Sequence, residues 1–232
     1  MKKSHIAALI VCLVLIPLTL FLGLQLPGRS YYITGTLIVL EMMVPFFMAF
    51  EGRKVQAREL VVIAVLCALA IVGRVAIPIP HVKAAFAVII ITGVAFGPES
   101  GFMVGAVTAF VTNFVYGHGP FTPWQMFAYG AAGLLAGFCF RKGGRKPWIM
   151  AAFGFVVVLV IVGPIMDLSG ITFLLASISW KGILTVLASG LFINLTQAVS
   201  TAVVLLLLGG PFLRKLERLQ LKYGLMEGKD GF

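Results

Sequence analysis

Charge is what this chain has least of. Only 11% of its 232 residues are Asp, Glu, Lys or Arg, against 60% hydrophobic residues and a mean hydropathy of +1.07. Soluble domains carry about 25% charged and about 45–50% apolar residues, so a single soluble core is set aside in favour of a polytopic membrane protein. Cysteine is scarce too. Cys12, Cys67 and Cys139 each lie alone in an apolar run, which implies no disulfide and no metal-ligand spacing, and each reads as a small buried hydrophobe. Catalytic signatures are missing: H-E-x-x-H, G-x-S-x-G and the phosphate-loop pattern do not occur. The 8 acidic residues form no plausible intramembrane dyad. No catalytic residue, resident metal or cofactor is therefore expected, the chain does not read as an enzyme, and ATP-driven work would need another subunit.

What the sequence does have is apolar runs of membrane-spanning length, about 17–25 residues. Punctuation by turns and charges gives candidates at roughly 6–26, 31–50, 59–77, 84–97, 101–116, 122–140, 148–165 and 183–209, the fourth and fifth being short enough for a re-entrant or broken pair. The first begins behind Lys2 and Lys3 like a signal peptide, but its run is long and no A-x-A-like cleavage site precedes Pro27, so a retained helix is expected. Threading the spans with the N-terminus inside places 14 of the 18 basic residues in the cytoplasm; Arg29, Arg74, Lys83 and Lys181 fall outside. That bias is the positive-inside pattern, so the net charge of +10 needs no nucleic acid to explain it.

This topology puts "PIPH", "GHGPFTP" and the segment from Gly163 to Lys181 on one outer face. Polar side chains gather at the same depth: Arg74, Asn113, Tyr116, Trp124, Gln125, Asn194 and Gln197. A charge at the bilayer centre costs about 2.5–3.5 kcal/mol on insertion scales, so such residues need a reason. They either line a hydrogen-bonding pocket or bond helix to helix, and Arg74 could snorkel to the surface. Glu41 lies mid-span above Pro45, either as a proton or cation site or as a protonated acid bonded to a neighbouring helix. His81 and His118 occupy outer loops, where metal contact is one reading and plain loop exposure the other. Small residues recur every four positions at Gly97, Gly101, Gly105 and Ala109 and at Gly133 and Gly137, which fits close helix packing. Ala64 and Ala68 share that spacing and read either as internal packing or as a flat docking surface for another membrane subunit.

The segments "ARELVVIAVLCALAIVGR", "FAVIIITGVAFGPESGFMVGAVTAFVTNFVYGHGPFTPWQM" and "GLFINLTQAVSTAVVLLLLGGPFLRKLERLQLKYGL" resemble the substrate-binding S-components of energy-coupling factor transporters. The "GFMVGAVTAFVTNF…GPFTPWQM" block is similar to the subgroup assigned to cobalamin and related corrinoids. The resemblance implies an all-α polytopic transmembrane bundle in a bacterial plasma membrane, with both termini cytoplasmic. A six-helix core would span about 55–213, two extra N-terminal transmembrane helices would occupy 1–54, and a basic cytoplasmic tail would follow at 214–232. It further implies capture of a vitamin-like solute from outside and delivery through a transmembrane coupling subunit driven by two ATPase subunits, with the lipid bilayer as surroundings. The family's A-x-x-x-A coupling motif falls on Ala64 and Ala68, and its binding loops fall on the outer face, where Arg74, Asn113, Tyr116, His118, Trp124, Gln125, Asn194 and Gln197 are the candidate solute contacts. Related cobalt and nickel members use a histidine straight after the initiator Met; this chain has Lys2, which argues against metal-ion uptake. A rival reading is a self-sufficient secondary transporter or channel with Glu41 as its coupling acid.

Overall fold

The computed structural model describes residues 10–25, 57–119, 121–141, 143–174 and 180–224, together with Ile6, Ile33, Leu37 and Glu41. The described residues are helices joined by short loops, with no strand among them. A π-helical turn, Val11–Leu15, leads into α1 (Ile16–Gln25). Then follow α2 (Ala57–Val75), α3 (Ala85–Phe96), α4 (Pro98–Tyr116) and α5 (Thr122–Cys139). α6 (Pro147–Val157) runs through a second π turn, Val158–Val162, into α7 (Gly163–Leu174), and α8 (Trp180–Tyr223) closes the bundle. The expected second span, 31–50, falls almost wholly outside the described residues, apart from Glu41 and two neighbours.

Among the described residues, two stretches, Pro147–Asp167 and Trp180–Tyr223, are long and apolar enough to cross a membrane by length and composition. α3 is apolar and buried but has 12 residues, about 18 Å of helix at 1.5 Å per residue, too short for about 30 Å of hydrocarbon. The short fourth and fifth runs therefore resolve into a half-length helix and a full one, reversed at Gly97, whose φ of 93° favours glycine.

The glycine series sets the packing of this reversal. A Cβ added at Gly133 would stand 2.2 Å from the Gly101 carbonyl oxygen, and one at Gly105 2.3 Å from that of Tyr129. α4 and α5 thus cross antiparallel with their backbones in contact, as small-residue spacing in a bilayer favours. Cys67 is buried as expected; Cys139, at the end of α5, is exposed instead.

Helix ends differ from the sequence expectation at two places. Gly163–Pro164 reads as a terminator, yet the helix runs on to Leu174. In the π turn just before it the Gly163 N–H bonds back to Val158, which absorbs the missing donor and ring clash that proline brings to a regular helix. The first π turn is followed by Pro17 at the same offset, two residues after the turn ends. α8, in turn, passes through Pro211 and continues to Tyr223, so the basic segment starting at Arg214 begins as helix.

Candidate solute-binding site

A cavity of about 360 Å³ opens among the ends of six helical segments at the level predicted to face outward. α2 contributes Arg74, the α2–α3 loop His81 and Lys83, α4 Tyr116, and α5 Gln125 and Tyr129. The opposite wall comes from Val162, Gly163, Met166 and Asp167, and from Ile193, Asn194 and Gln197 of α8.

On the first wall the charge is held by rings. The Arg74 guanidinium, 8% exposed, lies 5.4 Å from the Tyr116 ring centroid and 4.8 Å from that of Tyr129. It donates to the Thr112 hydroxyl, and the Tyr116 hydroxyl donates to the Arg74 carbonyl at 3.0 Å. Lys83 reaches over the same Tyr116 ring at 5.9 Å. A desolvated cation over an aromatic face gains about 2 kcal/mol, which offsets part of the burial. Among the described residues no carboxylate pairs with Arg74. The guanidinium therefore presents unused donor capacity to the cavity.

The second wall is built by close approach. The α6–α7 stretch and α8 run antiparallel: Pro147 touches Gly210, Gly154 meets Leu205 and Thr201, Gly163 meets Asn194, and Asp167 meets Gly190. The paired numbers sum to roughly 357 throughout, as a steady antiparallel register requires. Asn194 Nδ2 donates to Asp167 Oδ2 at 2.7 Å. That pair fits only because both helices carry glycine opposite it. A Cβ on Gly190 would lie 2.2 Å from Asp167 Oδ1, and one on Gly163 2.5 Å from Asn194 Cγ.

Gln125 is 5% exposed, and its Oε1 has no hydrogen-bond partner among the described residues. A buried acceptor left unpaired costs about 1–3 kcal/mol, so a ligand donor here would remove a standing penalty. The site as a whole offers two cations and tyrosine faces on one side, an Asp–Asn pair on the other, and an orphan amide oxygen. It can stack a planar ring and hydrogen-bond its polar edges.

Of the expected contacts, Arg74, Tyr116, Gln125, Asn194 and Gln197 line this cavity. Asn113, His118 and Trp124 do not. Asn113 is buried and donates to the Thr122 hydroxyl at 3.1 Å, fixing the start of α5. His118 is exposed and packs against Phe110 and Phe114, whose ring centroids are 5.2 and 4.6 Å away. Trp124 packs half-buried on the core. Lys83, Tyr129 and Asp167 enter the site without having been singled out as solute contacts, and His81 lines it from a loop position with φ 62°. Asp167 had a usable signal as the one acid between Glu99 and Glu217. Glu41 Oε1 accepts a hydrogen bond from Thr19, while its buried Oε2 has no partner among the described residues.

Ala64 and Ala68 are exposed, on a stripe with Leu60, Val61, Val65, Leu69 and Val72, while Ile63, Leu66, Cys67 and Ala70 face inward. The A-x-x-x-A pair is therefore not spent on packing within the described bundle.

The family described as ECF-type riboflavin transporter, S component, matches residues 54–214 of the 232. No curated protein and no solved structure matches the chain. The matched segment contains every residue that lines the cavity and leaves out α1 and Glu41.

Proposed function

The chain belongs to the ECF-type riboflavin transporter S component family, and on that premise we propose that its solute sits in the cavity between Arg74 and Asp167 while the Ala64–Ala68 face of α2 docks on the coupling subunit. As a family member it is a multi-pass membrane protein and the substrate-capture subunit of an energy-coupling factor transporter, with the coupling and ATPase subunits as its partners. It binds the solute and passes it on unchanged, which requires no catalytic group. The single observation that carries the reading is the outer cavity with unspent polar groups, Gln125 Oε1 and the Arg74 guanidinium, facing the Asp167–Asn194 pair.

Volume bears on the cargo. Small-molecule sites span about 300–1,000 Å³, and about 360 Å³ suits a single flavin-sized ring system. A flavin would stack on the exposed Tyr116 and offer ring carbonyls to Arg74 and Lys83 and an imide N–H to Gln125 Oε1. The family is also named for riboflavin. A second reading, a corrinoid, is favoured by the "GFMVGAVTAFVTNF…GPFTPWQM" block; it would insert one amide-bearing edge and leave most of the macrocycle above the cavity.

Purified protein titrated in parallel with riboflavin and hydroxocobalamin separates the two. Saturable binding of one is expected, weakened by Asn194→Ala and by Gln125→Leu. Binding of either that survives both substitutions refutes the site. The rival secondary-transport reading expects uptake in a host lacking any coupling module; Glu41, its required acid, lies outside the matched segment.

A further inference from the structure

The strongest unassigned feature is the last part of α8. Gly209, Gly210 and Pro211 interrupt it, and proline inside a helix loses a backbone bond and kinks the axis. Contacts with α3 lie on either side of Pro211. Leu205 and Ile90 of α3 meet at Gly154, and 15 residues later Gln220 Nε2 donates to the Ala95 carbonyl at 2.8 Å. Beyond Pro211 the helix thus still reaches the short α3 and supplies a donor to one of its terminal carbonyls, which have no partner within the helix.

Two more contacts tie this segment down. Glu217 pairs with Arg145 of the α5–α6 loop at 2.9 Å, and Arg58 at the start of α2 lies 5.8 Å from the Tyr223 ring. Leu213 and Leu216 are buried beneath it. The opposite face is of another kind: Arg214, Lys215, Arg218 and Lys222 are exposed, with Leu221 84% exposed among them. At 3.6 residues per turn these five fall within about 120° of arc. Glu217, the acid of the segment, is engaged by Arg145.

We propose that this segment is an interfacial helix whose basic face binds the phosphate headgroups of anionic phospholipids. Charge complementarity argues for that occupant. Four cations with an exposed apolar side chain at the edge of their arc, on an amphipathic helix continuous with a membrane span, match the pattern that attracts anionic lipid. Membrane-side placement of cations alone would satisfy topology without a folded face. Here the cations are aligned by a helix that three long-range contacts hold in place.

The test uses the full-length protein in neutral detergent, with its thermal midpoint followed as phosphatidylglycerol or phosphatidylcholine is added. Phosphatidylglycerol is expected to raise the midpoint by several degrees and phosphatidylcholine to leave it unchanged, with the gain shrinking as salt is added. The fourfold substitution of Arg214, Lys215, Arg218 and Lys222 by Gln should lose the gain and keep the phosphatidylcholine midpoint. Lys181→Gln, exposed at the other end of α8, should keep it. Should the fourfold variant fail to fold, Arg218→Gln and Lys222→Gln are measured singly, and each should lose part of the gain. A variant with the full gain, or a wild type without one, overturns the proposal.

Discussion

Adding one methyl group at Gly190 tests how the cavity wall is made. The new Cβ would stand 2.2 Å from Asp167 Oδ1 and 2.5 Å from both Asp167 Cγ and Oδ2. Such separations are far inside contact distance, so the carboxylate must swing away and release Asn194 Nδ2, now 2.7 Å from it. A hydrogen bond to a charged group contributes about 1.5–3 kcal/mol. If solute binding uses that pair as it stands, affinity should fall by roughly 10- to 150-fold.

Stability should respond differently. Replacing glycine by alanine inside a helix gains about 1 kcal/mol, while the crowding costs about 1–3 kcal/mol, so the melting midpoint should move by only a few degrees. The obstacle is the end of a flexible side chain rather than backbone, which is why the penalty stays small. The assay is a titration with riboflavin and hydroxocobalamin beside a thermal melt of the same sample. Ser189→Ala is the control, since its exposed hydroxyl bonds only its own helix at Val186. Unchanged affinity in Gly190→Ala would show that the Asp167–Asn194 pair does not shape the site. A large loss of stability would show that the helices, not the carboxylate, had been forced apart.

Ala64→Trp is expected to abolish uptake in cells while leaving solute affinity of the purified protein within about twofold, because the residue is exposed on α2 away from the cavity; lost binding in folded protein contradicts the docking role. Gly133→Ala should be among the most damaging small substitutions, since its Cβ meets the Gly101 backbone at 2.2–2.8 Å; a loss of about 1–3 kcal/mol or more, read as a lower melting midpoint and poorer yield, is expected. Gln125→Leu should weaken binding about tenfold or more while the protein still folds, as the buried Oε1 has no partner among the described residues to lose.

Much of the site was legible because a membrane makes polarity expensive. Arg74, Tyr116, Gln125, Asn194 and Gln197 stood out as polar groups in apolar runs, and all five line the cavity. Asn113 and His118, singled out by the same logic, lie off the cavity: the first donates to Thr122 and the second turns toward Phe110 and Phe114. Depth along a helix can be read from residue count; which way a side chain near the helix end turns cannot. Tyr129 stayed hidden because an aromatic residue in an apolar helix looks the same whether it packs a core or holds a guanidinium. The segment from Arg214 reads as a basic cytoplasmic tail because its cations dominate, while the buried Leu213–Leu216 pair under its helix is shorter than one turn of clear periodicity.

Asp167 was obscured by a different rule, that glycine followed by proline ends a helix, and the exception leads to a sharp test. The π turn Val158–Val162 holds one residue more than a regular turn, and Gly163 N–H bonds to Val158 five residues back. Deleting Val160, which is 61% exposed, would turn this into an ordinary α turn without rotating α7 relative to α6, since the bulge is one inserted residue. The deletion alone should cost about 3 kcal/mol, because Pro164 would then clash inside a regular helix. Combined with Pro164→Ala that cost should vanish, and Asp167 should still face Asn194 with solute binding kept. Deleting Ala152 from the regular part of α6 should instead rotate everything beyond it by about 100° and abolish binding. If the Val160 deletion with Pro164→Ala binds no better than the Ala152 deletion, the π turn is not one inserted residue whose removal leaves α7 unrotated.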